Sequence, residues 1–239
     1  MKNQMRSELR KLTTTRTVRW LTLGVVGMAL MAVTSVSGGS AAEYAKPLTE
    51  QQFFFLNTFS RLLLIVLGIR MVTDEFRYGT AVPTFIAAPN RTLVVASKVV
   101  VAGAAGLVMA ALGQAAMFGS ATAVFSMNGQ ELELGARGVQ GLVGGVLAGG
   151  LWAAIGVGVG AVVRNQVVAI VGSFVWLMAL EEIVRVKMGD LGGFLPGQAG
   201  FATALAPDEY WLTAVVTFVV YALVATALGM LFTRVRDVA

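Results

Sequence analysis

The chain has 239 residues, of which 56% are hydrophobic and only 13% are charged, and its formal net charge is +5. A soluble domain carries about 25% charged residues because its surface faces water, so this composition excludes an ordinary soluble protein and indicates a surface that faces lipid. The sequence contains no cysteine and no histidine. Thiol nucleophiles, disulfides, imidazole proton shuttles and metal sites built from thiolate or imidazole are therefore excluded, whereas a carboxylate-bound ion stays open.

Residues 1–19 are predicted to form a short basic amphipathic helix. Met5, Leu9 and Leu12 recur at the i, i+4, i+7 spacing of one helix face, and the basic residues fall on other faces. Such a helix suits the interface of a membrane that contains anionic lipid. The alternative is a disordered basic tail, which the apolar spacing makes the weaker interpretation.

Residues 20–239 are predicted to form a transmembrane domain. A bilayer core of about 30 Å takes about 20 residues of helix to cross, and about six stretches qualify. They are residues 20–36, 53–72, 93–115, 139–163, 167–180 and 211–232. The fold class is therefore an all-α integral membrane protein. The first stretch, with its basic flank, also resembles a secretory signal, but it is longer than the about 7–15 apolar residues of a signal, which favours a retained helix.

The distribution of basic residues predicts the orientation. With the N-terminus in the cytoplasm, most of the 18 Lys and Arg lie in inner segments and most of the 13 Asp and Glu lie outside. Both termini are then cytoplasmic, in a multi-pass protein of the cell's inner (plasma) membrane. Because the membrane topology accounts for the positive charge, we expect membrane lipid and no nucleic acid as a partner.

The inner segment between the second and third spans, residues 73–92, is much longer than the about 2–8 residues that antiparallel helices need between them. It combines charged residues, helix breakers and apolar side chains, which is typical of a docking surface. No GxxxxGK[ST] phosphate-binding loop occurs anywhere in the sequence. If the protein uses ATP, hydrolysis must therefore take place on a partner chain.

Six residues of this inner segment and the next helix form a recognisable pattern: Glu75, Gly79, Thr80, Pro89, Arg91 and Lys98. This pattern resembles the inner loop of the permeases of type-2 ABC exporters. The layout of spans and termini is also similar. The resemblance implies a coupling helix that seats in a cleft of a separate ATPase subunit, with Pro83 limiting the extent of that helix. The residues it implies for this contact are Glu75, Arg77, Tyr78, Gly79, Thr80, Phe85 and Arg91.

The same resemblance implies the composition of the working unit. Two ATPase subunits would bind ATP and Mg, so that this chain holds no cofactor of its own, and a second permease subunit, identical or different, would complete the assembly. Residues 181–210 are expected to form a re-entrant segment at the outer mouth. The expected activity is export or efflux of an apolar drug, lipid or peptide by alternating access, with no catalytic residue and no metal site in this chain.

The sequence leaves two other functions open. A sensor or assembly factor would share the membrane topology without transport. An ion-coupled secondary transporter is less favoured, because such proteins carry inverted repeats and broken helices at mid-membrane, and this sequence shows no convincing repeat and almost no acidic residue within its spans.

Arg61 lies about halfway along the second predicted span, where a charge costs roughly 2.5–3.5 kcal/mol to insert. We therefore expect it to face a partner or a water-filled cavity. Glu181 or Glu182, at the end of the fifth span, is the predicted partner, and Gln114 lies at the outer end of the third span. A structural ion pair and a position on the substrate path are both consistent with this pattern.

Glycines in the fourth span repeat at four-residue spacing. Gly141, Gly145 and Gly149 share one helix face, where another backbone can approach closely. Packing within the chain is favoured over a subunit interface. The downstream GVGVG sequence lies inside a lipid span without a strand-turn-helix context, so it does not indicate a dinucleotide loop.

Overall fold

The computed structural model describes residues 2–34, 50–87, 90–127, 136–205 and 208–235. Of these residues 96% are helical and none lies in a strand. The all-α fold class predicted from composition and periodicity is confirmed for the part of the chain that is described.

The helices are numbered in chain order. They are α1 (Lys2–Thr14), α2 (Arg16–Thr34), α3 (Glu50–Arg77), α4 (Ala81–Ala87), α5 (Arg91–Met127), α6 (Ala136–Val163), α7 (Gln166–Val175), α8 (Glu181–Met188), α9 (Pro196–Leu205) and α10 (Asp208–Val235). A π-helical turn, Trp176–Leu180, joins α7 to α8, and a 3-10 segment, Gly189–Phe194, follows α8. The predicted interfacial segment divides at Thr15, so residues 16–19 already belong to α2.

Five helical stretches among the described residues are long and apolar enough to cross a membrane, which makes this a multi-pass membrane protein. They are Arg16–Val33, Arg91–Met127, Gly138–Val163, Gln166–Phe194 and Glu209–Val235. Each overlaps one of the predicted spans, so the hydropathy analysis is confirmed for these five.

The remaining predicted span corresponds to α3, which has 28 residues. It is not among the five, and the side chains of residues 50–58, at the beginning of this helix, lie outside the described part of the chain. The crossing of the membrane by α3 stays a prediction.

Two spans are longer than the sequence indicated. The third was predicted to end at residue 115, but α5 continues to Met127, and the hydroxyls of Ser120 and Thr122 bond back to carbonyls of the preceding turn, Ala116 and Phe118. Polar residues that satisfy themselves in this way do not end a helix. The fifth span was predicted to stop at residue 180, but the helix passes through the π-helical turn into α8.

Helix α6 is the centre of the bundle and packs against α3, α5, α9 and α10. Its glycines make this possible, since a Cβ at several of them would lie closer than 3.0 Å to an atom of a neighbouring helix. Gly144 faces α9, Gly149 faces α5, Gly156 faces α3 and Gly158 faces α10. The glycine-rich sequence of the fourth span is therefore a packing surface within the chain, used on several sides of one helix.

Short helix α9 folds back onto the bundle, with one side against α6 and the other against α10. Gly200 of α9 lies against the indole of Trp152, and the Trp152 and Phe218 rings meet edge to face with centroids 4.9 Å apart. Trp211 Nε1 donates to the Thr203 carbonyl at 2.7 Å. The segment after the fifth span is thus ordered by contacts with the helices that surround it.

At the opposite end of the bundle lie α1, α4, the turn between α6 and α7, and the last turn of α10. Side-chain contacts described below connect α1, the turn between α6 and α7, and the last turn of α10 to the ends of α3 and α5 that flank α4. We call this region the α4 end. It contains the segment that the sequence analysis singled out as a docking surface.

Candidate functional site

A buried ionic network holds the α4 end together. The Lys98 ammonium, only 2% exposed, donates to Glu8 Oε2 at 2.9 Å, to Glu75 Oε1 at 2.8 Å and to the Met71 carbonyl at 3.0 Å. An ammonium has three N–H donors, so every donor of Lys98 has a partner. Lys11 completes the network, with Nζ 2.9 Å from Glu8 Oε1 and 2.7 Å from Glu75 Oε1. Two lysines and two carboxylates balance in charge, as burial of ions requires.

The network connects three helices that are distant in sequence. Glu8 and Lys11 belong to α1, Glu75 to the last turn of α3, and Lys98 to the beginning of α5. Glu8 and Glu75 are both buried, whereas Lys11 is half-exposed. Burial by itself lowers the pKa of Lys11, but the hydrogen bonds and charges of Glu75 and Glu8 outweigh it and raise that pKa above 10.5. Lys11 is therefore a cation at neutral pH.

Helix α1 contacts the protein through Glu8 and also through Leu12, which packs against the hydrophobic core. Glu8 is buried, while Leu9 on the predicted apolar face is exposed. The amphipathic pattern therefore leaves an apolar position outward and directs a carboxylate to Lys98. A membrane-interface helix attached in this way can lie with Leu9 toward lipid.

The chain leaves α3 through a Schellman turn. Gly79 has φ +68, in the left-handed region that favours glycine. Thr80 N donates to the Glu75 carbonyl at 2.8 Å, and Gly79 N donates to the Phe76 carbonyl at 3.4 Å. These are the two hydrogen bonds that define the motif. The Gly-Thr pair singled out in the sequence thus fixes the direction in which the next helix begins.

Helix α4, Ala81–Ala87, forms the middle of the predicted coupling loop. Pro83 lies in its first turn, where no intrahelical partner for an N–H is needed, so it does not break the helix. Ala81 is buried, whereas Tyr78, Val82 and Ile86 are exposed, Ile86 to 77%. This part of the surface is apolar and faces away from the protein. The Phe85 side chain and Pro89 lie outside the described residues.

Three arginines connect the other helix ends to this region. Arg77 Nη1 donates to Gln166 Oε1 at 2.8 Å and so joins α3 to α7. Arg164, in the turn between α6 and α7, donates to a carbonyl in the last turn of α10 at 3.1 Å and lies 5.2 Å from the ring centroid of Phe76. Arg91 Nη1 is 3.4 Å from another carbonyl in the last turn of α10. The three arginines therefore join α3 to α7, α5 to α10, and the turn after α6 to α10.

A groove of about 910 Å³ opens beside the network. Its wall is formed by α1, the start of α2, the end of α3 and residues of α4 and α5. This volume lies in the range of about 300–1,000 Å³ that is usual for small-molecule and cofactor sites. The sequence analysis did not predict it, since it depends on the docking of α1.

Arg61 lies within the bundle, far from the α4 end. Its Nη1 and Nη2 are each 3.4 Å from a backbone carbonyl, of Gly197 and Leu177 respectively, and its Nε has no hydrogen-bond partner among the described residues. Glu181 is only 2% exposed and accepts from the backbone N–H groups of Gly197 and Gln198 at 3.0 and 2.9 Å. Both side chains thus contact the backbone at the start of α9. The Glu181 carboxylate interacts electrostatically with Arg61, but the described structure has no direct ion pair between them.

The remaining predicted residues lie apart from this pair. Glu182 is exposed and pairs with Arg185 at 2.6 Å. Gln114 is buried and lines a small apolar groove of about 340 Å³ between α5 and α6. Its Oε1 has no hydrogen-bond partner in the part of the chain that the structure describes. Of the glycines predicted to pack, Gly141 and Gly145 are buried, and a Cβ on Gly149 would clash with Ala110 of α5.

Sequence reasoning missed Glu8, Lys11 and Arg164 as members of the α4 end. The Glu8–Lys11 spacing of three residues was a usable signal, because it places the two side chains together on α1. Arg164 has φ 56, which a non-glycine residue rarely adopts, and no local sequence pattern indicates this. Its partners are contributed by α3 and α10.

Neither the protein-family models nor the curated proteins include a match to this sequence. The chemistry and geometry of the chain therefore carry the functional argument.

Proposed function

We propose that this chain is the membrane-spanning permease subunit of an ATP-driven exporter, and that α4 is the surface that a separate ATPase subunit contacts. The observation that carries the proposal is the construction of α4. A short helix presents exposed apolar side chains, Val82 and Ile86, on a base that is fixed by a Schellman turn and a buried ionic network.

The base of α4 is built to transmit movement. A displacement of α4 passes through Gly79 and Thr80 directly into α3, because these residues are hydrogen-bonded to its last turn. The Glu75 carboxylate then connects α3 to α1 and α5. Buried ion pairs are costly to separate, so these three helix ends are expected to move together. A flexible connector would lose the movement within the loop.

Charge supports a cytoplasmic position for the α4 end. Basic residues of α1, α2 and the helix ends collect there, as the positive-inside rule describes for cytoplasmic segments. The sequence has no phosphate-binding loop of the Walker type, so the motor must be another chain. In this proposal two ATPase subunits, with ATP and Mg, and two permease subunits form the working unit in the plasma membrane.

The transport path is proposed to run toward α9. Closure of the ATPase pair would shift α3 and α5 at the α4 end, and the substrate would leave past the re-entrant segment formed by α8 and α9. Arg61 and Glu181 lie where α3 meets the beginning of α9, so a displacement of α3 would alter the contact of Arg61 with this region. Charged groups at mid-membrane often mark a substrate path.

Co-purification with an ATPase tests the proposal. The chain is expressed in its native membrane, extracted in detergent, and examined for a bound protein with a Walker motif; inverted vesicles are assayed for ATP-dependent uptake of apolar substrates. Ile86→Glu is expected to reduce capture of the ATPase at least about tenfold, because a charge is placed in an apolar contact. Thr13→Glu, at an exposed position of α1 at the same end, is the control and should capture it normally.

The proposal fails if the wild-type chain brings down no ATPase and the vesicles show no ATP-dependent transport. That outcome would favour the sensor or assembly factor. Equal capture by the Ile86→Glu variant and the wild type would move the contact away from α4.

A further inference from the structure

The turn between α6 and α7 has an arginine at a position where glycine is usual. Only Arg164 and Asn165 separate the two helices. Arg164 N donates to the Gly160 carbonyl at 2.9 Å, which is the hydrogen bond of the αL cap, and its φ is 56. No other non-glycine residue in the described ranges has a positive φ. Such a conformation is unfavourable and persists only where surrounding contacts hold it, so the side chain is expected to have a role that glycine could not fill.

The Arg164 side chain joins the ends of two other helices to this turn. Its Nη2 donates to the Phe232 carbonyl of α10 at 3.1 Å, and a hydrogen bond from a cation is stronger than a neutral one. The guanidinium carbon lies 5.2 Å from the ring centroid of Phe76 in the last turn of α3, within the range of a cation–π interaction. Glycine at position 164 would keep the turn and lose both contacts. The contacts of the side chain therefore account for an arginine at this position.

The beginning of α7 is also attached to the last turn of α3. Gln166 Oε1 accepts a hydrogen bond from Arg77 Nη1 at 2.8 Å. Asn165 is the N-cap of α7, and its side chain accepts from Val168 N at 3.1 Å. Arg77 lies two positions before Gly79, where the chain turns into α4. The start of α7 and the start of α4 are therefore both fixed to the same helix end.

Between its two ends α7 is packed on one side only. It contacts mainly α3 and α6, and Val167, Val168 and Val171 are exposed. At its far end the π-helical turn leads to Glu181, whose buried carboxylate accepts from the Gly197 backbone N–H at the start of α9. A helix that is held at both ends and packed on one side can slide against its neighbours and carry a displacement along its length.

We propose that Arg164 is a positioning residue that passes the movement of α4 to the segment formed by α8 and α9. The movement enters the last turn of α3 through the Gly79 turn, passes to α7 at Arg164 and Gln166, and reaches α9 at Glu181. The proposal rests on the proposed function, because the movement is supplied by the ATPase. The guanidinium touches no substrate and acts through the position of α7.

Distances within the purified chain test this junction without an ATPase. Ile86→Cys on α4 and Val167→Cys on α7 introduce two exposed thiols into a sequence that has no cysteine. Spin labels on both report the width of their distance distribution by electron paramagnetic resonance. Arg164→Gly removes the side chain and relieves the backbone, whereas Arg164→Gln keeps the backbone constraint and removes the cation. Both changes should widen the distribution, because α7 loses its attachment to α3 and α10.

Two further variants complete this measurement. Arg185→Gln, at an exposed arginine of α8, is the control and should leave the width unchanged. Gln166→Leu removes only the bond to Arg77 and should widen the distribution less than the changes at position 164. An unchanged width in Arg164→Gln would overturn the proposal, since widening in the glycine variant alone reports backbone freedom. If neither Arg164 variant folds, an unchanged width in Gln166→Leu overturns it.

A third thiol follows the movement in the complex with the ATPase. Leu191→Cys lies in the 3-10 segment after α8 and is exposed. Its rate of labelling by a maleimide is measured in detergent, with and without ATP, at equal amounts of captured ATPase. ATP should change the rate in the chain with Arg164, and this change should fall about tenfold in Arg164→Gln, as expected for the loss of a hydrogen bond from a charged group. A change in folding stability alone would not remove a response to ATP.

The outcomes separate this proposal from the proposed function. If the wild-type chain captures no ATPase, the proposed function fails, and the distance widths still decide whether Arg164 fixes the position of α7. If an ATPase is captured but ATP leaves the labelling at position 191 unchanged, the movement does not reach this segment and the inference is wrong. An equal response to ATP with arginine and with glutamine at position 164 would also overturn it.

Discussion

Replacement of Lys98 by methionine tests the ionic network most severely. The side chain becomes one atom shorter and loses its charge, so the packing of α5 is largely preserved while three hydrogen bonds are lost. Glu75 and Glu8 both retain Lys11 as a partner, but each carboxylate loses the buried Lys98 ammonium that contacted it. Lys11 is half-exposed and cannot replace a fully buried ammonium.

The size of the effect follows from burial. Removing one partner of a buried ion pair costs about 3–5 kcal/mol, because the remaining charge is left without compensation. Partial compensation by Lys11 places the expected loss in unfolding free energy at the lower limit, about 3 kcal/mol. The paired change Glu8→Gln with Lys98→Met should cost about 0.5–3 kcal/mol less than the sum of the single changes, since the two residues are in contact.

Unfolding by titration with sodium dodecyl sulphate in mixed micelles, followed by circular dichroism and tryptophan fluorescence, measures these free energies. Lys187→Met, at an exposed lysine of α8, is the matched control and should stay within about 0.5 kcal/mol of wild type. The network does not hold α1 to the bundle if Lys98→Met is as stable as Lys187→Met. The same conclusion follows if the losses in unfolding free energy of Glu8→Gln and Lys98→Met are additive in the double variant.

Three further changes test other parts of the account. Because the pKa of Lys11 is raised in the folded protein, its stabilising contribution is complete below about pH 10.5 and is lost as the pH rises through the folded-state pKa. The difference in unfolding free energy between wild type and Lys11→Met should therefore be constant from neutral pH to about pH 10.5 and should decrease only above that pH. A decrease of this difference at lower pH would contradict the reasoning. Gly149→Leu should lower the unfolding free energy by about 1–3 kcal/mol or abolish folding, because a Cβ at this position meets Ala110. Gly172→Leu, where a Cβ meets nothing within 4 Å, should lower it by about 0.5 kcal/mol or less. Equal melting temperatures of the two variants in detergent would refute the packing argument. Arg61→Gln should leave the amount of folded protein in the membrane unchanged and abolish export if Arg61 lies on the substrate path, and normal export would exclude that role.

Hydropathy was sufficient to predict five of the long apolar helices, because crossing a bilayer requires a run of apolar residues that any window detects. It failed at their ends for physical reasons. Ser120 and Thr122 look like the end of a span, yet their hydroxyls are satisfied by their own helix. Glu181 looks like an interfacial residue, yet its carboxylate is buried on the backbone N–H groups of α9. Such partners are not visible in a local sequence window.

The candidate site was only partly predictable. The family resemblance singled out Glu75, Gly79 and Thr80, and a glycine is favoured at position 79 because the backbone there is left-handed. The role of Glu8 was hidden because the residue is 90 positions from Lys98 and belongs to a helix whose pattern suggests contact with lipid. Pairing across such a distance depends on the docking of α1, which no periodicity encodes.

Single-cysteine cross-linking measures the central claim, contact between α4 and an ATPase, most directly. The chain has no cysteine, so Ile86→Cys on α4 and Val186→Cys on α8 each introduce one exposed thiol on an otherwise unreactive background. Native membranes carrying either variant are treated with a short thiol-to-amine cross-linker, and the adducts are identified by mass spectrometry. The account predicts that the cysteine at position 86 joins a protein with a Walker motif and that the cysteine at position 186 does not. Cross-links to such a protein from neither position, or from both equally, would contradict it.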